Sequence, residues 1–187
     1  MLSSTLRSVL YTAAAAIISI MSILPNLASA NAGEPLKEGD PAPQVSSVDH
    51  DGKEVDLAKL YGPGFTLVYF YPKADTPGCK TQACTLRDAF TQLQSKGIVV
   101  IGVSTDKPEA QKAFRDKYQL PFTLLADFSQ KVVQAFGVPA TNGIAARQSF
   151  LIKDGKVVWR NLKEVPSKQA EEVLQAVADY AKANPGR

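Results

Sequence analysis

Apolar and polar positions between Gln44 and Lys182 change period several times, and each change predicts an element. Residues 44–48 and 53–57 flank Asp49-His50-Asp51-Gly52 and form a hairpin pattern closed on an Asp-Gly turn. Phe65 to Tyr71 is almost continuously apolar, as expected of a strand covered on both faces. Residues 78–96 carry a helical pattern, with Leu86, Phe90 and Leu93 on one face and Gly97 as terminator. Ile98 to Ser104 is a second buried strand, and Lys107-Pro108 opens a helix to about Tyr118, with proline where its missing N–H costs little. A short strand over 122–125 and a short helix from Ser129 to Phe136 follow, ended by Gly137. Residues 149–152 and 157–159 flank Asp154-Gly155 as a second hairpin. From Ser167 to about Lys182, Ala170, Val173, Leu174, Val177 and Ala181 keep the spacing of an amphipathic closing helix.

Strands alternating with helices imply parallel pairing, and the late hairpin adds an antiparallel edge. The fold class expected is α/β: a thioredoxin-like sandwich, a mixed central sheet flanked by helices, with an N-terminal β-hairpin extension. Met1 to Ala30 has a different character. It holds one charge, Arg7, an apolar run from about Val9 to Leu24, and then Ala28-Ser29-Ala30. That is the pattern of a secretory leader cleaved after Ala30, and the apolar run is short against the roughly 20 residues of a membrane span. An uncleaved membrane anchor is the alternative. Export to a periplasm or a thylakoid lumen is the expectation. Residues 31–187 then form one domain with one core, and only the stretch 31–43 reads as a linker. Without Arg7 the net charge is +2, and the basic residues are scattered. Nothing in that distribution suggests a nucleic-acid surface.

The chemistry concentrates between Tyr71 and Cys84, which hold both cysteines of the chain. Cys79 falls at the mouth of the 78–96 helix just past a strand end, where unpaired N–H groups and the helix dipole favour a thiolate. Thr76 is placed to cap that helix, with Pro77 at its first position; its hydroxyl is also a candidate partner for a small substrate oxygen. Pro72 ends the strand, and its ring is a candidate shield between the sulfur and water. Arg147, just before the 149–152 strand, is the candidate cation beside Cys79, reaching the helix mouth from a neighbouring strand of a parallel sheet. Arg87, eight residues along the helix and so roughly 12 Å away, is too far to touch Cys79.

Five residues of helix separate the two thiols by roughly 8–9 Å between Cα atoms, on different faces. A disulfide tolerates at most about 7 Å. The pair can close only if the first helical turns unwind, so it reads as a switch: peroxide oxidises Cys79 to a sulfenic acid, and Cys84 captures it after local unfolding. His50, the single histidine, reads as a solvated turn residue; no Ser-His-Asp triad or His-rich metal site can be assembled. Trp159 and the phenylalanines are expected in the core, and Asp106, Asp116 and Asp127 in loops or caps.

Tyr71-Pro72, Thr76-Pro77-Gly78-Cys79, Cys84 and Arg87-Asp88 together resemble the peroxiredoxins, specifically the peroxiredoxin Q or bacterioferritin-comigratory-protein type, the atypical 2-Cys kind. Lys117 to Asp127, Phe136-Gly137-Val138 and Arg147 to Leu151 extend the likeness, which covers essentially residues 35–181. The resemblance implies a thiol peroxidase acting on hydrogen peroxide and organic hydroperoxides. Cys79 would be the peroxidatic residue and Cys84 the resolving one, framed by Pro72, Thr76 and Arg147. It further implies thioredoxin or a similar dithiol as reductant, no metal, haem or flavin, and a monomer. The export signal departs from most members and leaves the reductant open, since exported compartments are oxidising. Two competing readings are an exported thiol–disulfide oxidoreductase, which the missing Cys-x-x-Cys disfavours, and a binding module with an inert bridge.

Overall fold

Two apolar runs, β3 (Phe65–Phe70) and β4 (Ile98–Ser104), lie parallel at the middle of a seven-stranded sheet. The structure is a computed structural model and describes residues 33–185. The leader expected over 1–30 and its cleavage point fall outside the described residues. In chain order the remaining elements are β1 (Ser46–Asp49), β2 (Glu54–Asp56), a 3₁₀ turn (Leu57–Leu60), α1 (Pro77–Asp88), α2 (Phe90–Ser95), α3 (Pro108–Tyr118), β5 (Thr123–Ala126), α4 (Lys131–Ala135), β6 (Ala140–Thr141), β7 (Ile144–Ala145), β8 (Gln148–Lys153), β9 (Lys156–Asn161) and α5 (Gln169–Ala183).

The sheet runs β2-β1-β5-β4-β3-β8-β9. Only β3, β4 and β5 pair in parallel, joined by crossovers through α1–α2 and α3. β1 and β8 flank that block antiparallel. Alternation along β3 feeds two cores. Leu67 and Tyr69 meet Leu86, Leu93, Phe114 and Val173 from α1, α2, α3 and α5. Val68 and Phe70 meet Leu57, Val132, Val133 and Phe136 on the opposite face. The strand is therefore apolar at nearly every position, because it has no solvent face.

Four expectations are corrected. The 78–96 helix is interrupted at Ala89, and after the break Leu93 is fully buried while Phe90 packs on the first core. The stretch 31–43 is no linker where described: Leu36 N–H bonds Phe136 O, Gly39 N–H bonds Val157 O, Ala42 N–H bonds Gly155 O, and Arg160 donates to the carbonyls of Pro35 and Leu36. His50 is buried, with Nδ1 within 3.4 Å of the Leu124 backbone, because the β1–β2 turn folds onto β5. Phe128, assigned to the core, is 57 % exposed. Among the described residues, no helix is long and apolar enough to cross a membrane.

Leu151, in β8, is fully buried in the first core. Leu151→Ala should lower unfolding stability by about 2–5 kcal/mol, read from the shift in urea midpoint.

Candidate active site

α1 begins where the chain leaves β3. Tyr71 donates its N–H to Val103 O at 3.1 Å, and Pro72, with no N–H, ends the ladder there. The turn that follows is held by buried polar groups of β4 and α3. Tyr71 hydroxyl donates to Gln111 Oε1, and Gln111 Nε2 donates to Ser104 Oγ at 2.7 Å. Asp106 Oδ2 accepts from Ser104 Oγ and from Ala74 N–H, both at 2.7 Å. Asp75, left-handed at φ 59°, accepts from Lys117 Nζ and from the Tyr118 hydroxyl, both at 2.6 Å.

On this anchored turn Pro77 takes the first helical position and Cys79 sits buried in the first turn. Arg147 Nη2 donates to Cys79 Sγ at 3.3 Å, while Nη1 donates to Gln82 Oε1. Gln82 follows Cys79 by three residues and so shares its helix face. One guanidinium thus spans sulfur and amide. A Cβ at Gly78 would lie 3.1 Å from Nη2, so glycine leaves the space the guanidinium occupies. No acceptor for the N–H of Gly78 or Cys79 occurs among the described residues. Unpaired donors, helix dipole and guanidinium all place positive potential at one sulfur.

Arg147 reaches this place because β8 is antiparallel to β3. Phe70 pairs with Gln148, so β8 begins where β3 ends. The neighbouring strand was expected, but in a parallel sheet, and a parallel neighbour would start at the far end of β3. The approach is set by a tight β6–β7 hairpin on Asn142-Gly143 (φ 51° and 77°) and by Ala146 N–H donating to Pro139 O at 2.8 Å. Asn-Gly is the signature of such a turn and was legible in the sequence.

The other expected residues are placed as follows. Thr76 occupies the N-cap position by backbone, but its hydroxyl makes no cap bond. It donates to Lys73 O at 3.0 Å, leaving its oxygen lone pairs free and correcting the capping expectation. Pro72 is half-buried in the turn between β3 and α1. Cys84 is half-buried on the same unbroken α1, and both thiols are free. Arg87 turns away, bonding Asp88 and Tyr118 O.

Gln82 and Glu164 carried no signal read from sequence; the i,i+3 relation to Cys79 would have pointed to Gln82. The β9–α5 loop lies over the first turn of α1, with Pro166 Cγ 3.9 Å from where a Gly78 Cβ would stand. Glu164 in that loop is buried, with no partner for either oxygen. Burial pushes its carboxyl up to about 7; the nearby Ser149 hydroxyl draws it down, Glu172 pushes it up, and Arg147 opposes that.

Residues 38–160 match the AhpC/TSA family. Peroxiredoxin Bcp of Escherichia coli strain K12 is 47 % identical over 131 residues, 66 % of this chain and 83 % of that protein. Chloroplastic peroxiredoxin Q of Gentiana triflora is 39 % identical over 145 residues, 75 % of this chain and 66 % of that protein. The crystal structure of peroxidoxin BcpB from Mycobacterium tuberculosis superposes with a TM-score of 0.73 at 28 % identity, covering 77 % of this chain and 97 % of that one. The chain belongs to the AhpC/TSA family, the thiol-dependent peroxidases built on a thioredoxin-like fold. Within it the chain is a peroxiredoxin of the Bcp and Q type.

The raised Glu164 carboxyl makes stability pH-dependent. The folded state keeps a proton that the unfolded chain releases near 4.5, so this contribution is full below that pH and is lost as pH rises through about 7. Glu164→Gln should remove the loss, raising stability at pH 8 relative to the parent by on the order of 3 kcal/mol and leaving it little changed at pH 4. Urea unfolding at the two pH values checks this.

Proposed function

We propose that Cys79 is the peroxidatic residue and Cys84 the resolving one in a cycle that reduces hydrogen peroxide and organic hydroperoxides. The observation that carries the reading is the single guanidinium 3.3 Å from the buried Cys79 sulfur at a helix N-terminus. Arg147 stabilises negative charge on the sulfur and then on the substrate oxygen. The thiolate attacks one oxygen of the hydroperoxide; the S–O bond forms, the O–O bond breaks, and the departing alkoxide or hydroxide takes a proton. Thr76, its proton committed to Lys73 O, offers oxygen lone pairs to the substrate O–H.

Cys84 then attacks the Cys79 sulfenic sulfur, an S–S bond forms, and hydroxide leaves as water once protonated. With both cysteines on one continuous helix, this step requires the first turns of α1 to unwind. A thioredoxin-type dithiol reduces the bridge and becomes a disulfide itself. The chain works as an exported monomer, in a periplasm or thylakoid lumen, with residues 1–30 removed. Cell fractionation and sequencing of the mature N-terminus test the export; a mature chain beginning at Met1 in the cytosol refutes it.

Cys79→Ser should abolish peroxide consumption. Cys84→Ser should retain one turnover and accumulate sulfenic acid, seen by dimedone labelling and mass spectrometry. Equal and complete loss in both variants would overturn the assigned roles. Arg147→Ala should cut the peroxide rate by roughly a hundredfold, the scale of losing one preorganised charge-stabilising donor; stopped-flow peroxide reduction measures it.

A further inference from the structure

Tyr118, the last residue of α3, meets the chain around α1 in three places, and these bracket both cysteines. Its hydroxyl donates to Asp75 Oδ1 at 2.6 Å, one residue before Thr76, where α1 is about to begin. Its ring faces the Lys80 ammonium, with Nζ 5.5 Å from the centroid, and Lys80 directly follows Cys79. Its backbone oxygen accepts from Arg87 Nη1 at 2.9 Å, three residues beyond Cys84. That oxygen is one of the carbonyls α3 leaves unpaired where Gln119 ends it in a left-handed conformation, so a cation there is favoured. Lys117 adds to the same cluster, with Nζ 2.6 Å from Asp75 Oδ2 and 5.2 Å from the Tyr118 centroid. The ring is tied to the core rather than to α1. It packs at a steep angle on the buried Phe114 of α3, 5.4 Å between centroids, and Phe114 packs on Tyr71 at 5.9 Å.

We infer that Tyr118 is a positioning residue for the resolving step: a latch on α3 that holds residues 75–87 in place and so sets how often Cys84 can reach Cys79. The inference rests on Cys84 being the residue that resolves the Cys79 sulfenic acid. In that step the Cys84 thiolate attacks the sulfenic sulfur; the S–S bond forms, the S–O bond breaks, and the released hydroxide takes up a proton. The chemistry needs α1 unwound between the cysteines, and the latch needs it wound. Lys80 stays over the ring only while the first turn keeps its place. Asp75 fixes the point from which that turn departs, and Arg87 holds the helix to α3 beyond Cys84. No hydrogen bond joins Tyr118 to Cys79 or Arg147 among the described residues, so the attack on peroxide does not depend on it. Each contact of the latch is modest, as exposed cation–π and ion-pair contacts are. Removing one of them shifts a local opening without unfolding the domain. A looser latch shortens the life of the sulfenic acid, so less of it meets a second peroxide and becomes sulfinic acid.

The test uses the whole chain, reduced and mixed with hydrogen peroxide in rapid-quench flow, with thiol, sulfenic acid, sulfinic acid and disulfide followed by mass spectrometry. Tyr118→Phe keeps the ring and its packing and removes only the hydrogen bond to Asp75. It should leave Cys79 oxidation within about twofold of the parent and speed disulfide formation about fivefold, the scale of one hydrogen bond lost. Sulfinic acid at excess peroxide should fall with it. Asp75→Asn keeps a residue that tolerates left-handed backbone but replaces a charged acceptor by a neutral one, and should give a smaller gain of the same sign. A merely structural role would move both steps together or neither. Disulfide formation unchanged or slowed in Tyr118→Phe, or oxidation altered as much as resolution, overturns the inference. Amide hydrogen exchange of the reduced chain reads the latch without the chemistry. Residues 77–84 should exchange about fivefold faster in Tyr118→Phe while α5 is unchanged; equal exchange overturns the inference. Faster exchange in a chain that consumes no hydroperoxide, or that forms no disulfide, would refute the function proposed for the cysteines and leave the latch standing.

Discussion

The candidate site depends on one contact, the Arg147 guanidinium against the Cys79 sulfur. A guanidinium cannot be deprotonated in a protein and presents several donors in a rigid fork. One arm meets the sulfur and the other meets Gln82, so the helix face fixes the cation and the cation fixes the charge that sulfur can carry. The contact needs three independent things at once. β8 must run against β3, Gly78 must lack a side chain, and the turn after Tyr71 must start α1 beside the strand end.

α1 serves two opposed demands. It must hold Cys79 at its N-terminus, which Ala83 and Leu86 secure by full burial in the first core. It must also yield if Cys84 is to reach Cys79. Near its C-terminal end the ties are weaker: Arg87 bonds Asp88, an exposed ion pair, and donates to Tyr118 O. Exposed ion pairs contribute about 0–1 kcal/mol each. The turn before the helix is different, because its Tyr71, Ser104, Asp106 and Gln111 network is mostly buried.

Elements with strong local patterns were readable directly. β3, β4, α3 and both Asp-Gly hairpins fall within a residue or two of the expected limits, since burial on both faces or a turn needing positive φ marks them locally. The misreadings share another cause. His50 looked solvated because its turn is polar, yet that turn folds onto Leu124, far away in sequence. The stretch 31–43 looked like a linker because the backbone partners of Leu36, Gly39 and Ala42, namely Phe136, Val157 and Gly155, leave no periodicity in the segment itself. Thr76 looked like a side-chain cap, but Lys73 O was the acceptor in reach. The Ala89 break lay inside an unbroken helical pattern.

By itself the order of residues determined the class of fold, the helix that begins at a cysteine, and the spacing that keeps a second cysteine out of bonding reach. Those properties depend on neighbours along the chain. Which way β8 runs, why Gln82 shares the guanidinium, and why Glu164 is buried were decided by tertiary structure alone. They are contacts between segments 65 or more residues apart, or burial created by a loop closing over a helix mouth, and local pattern carries no record of either.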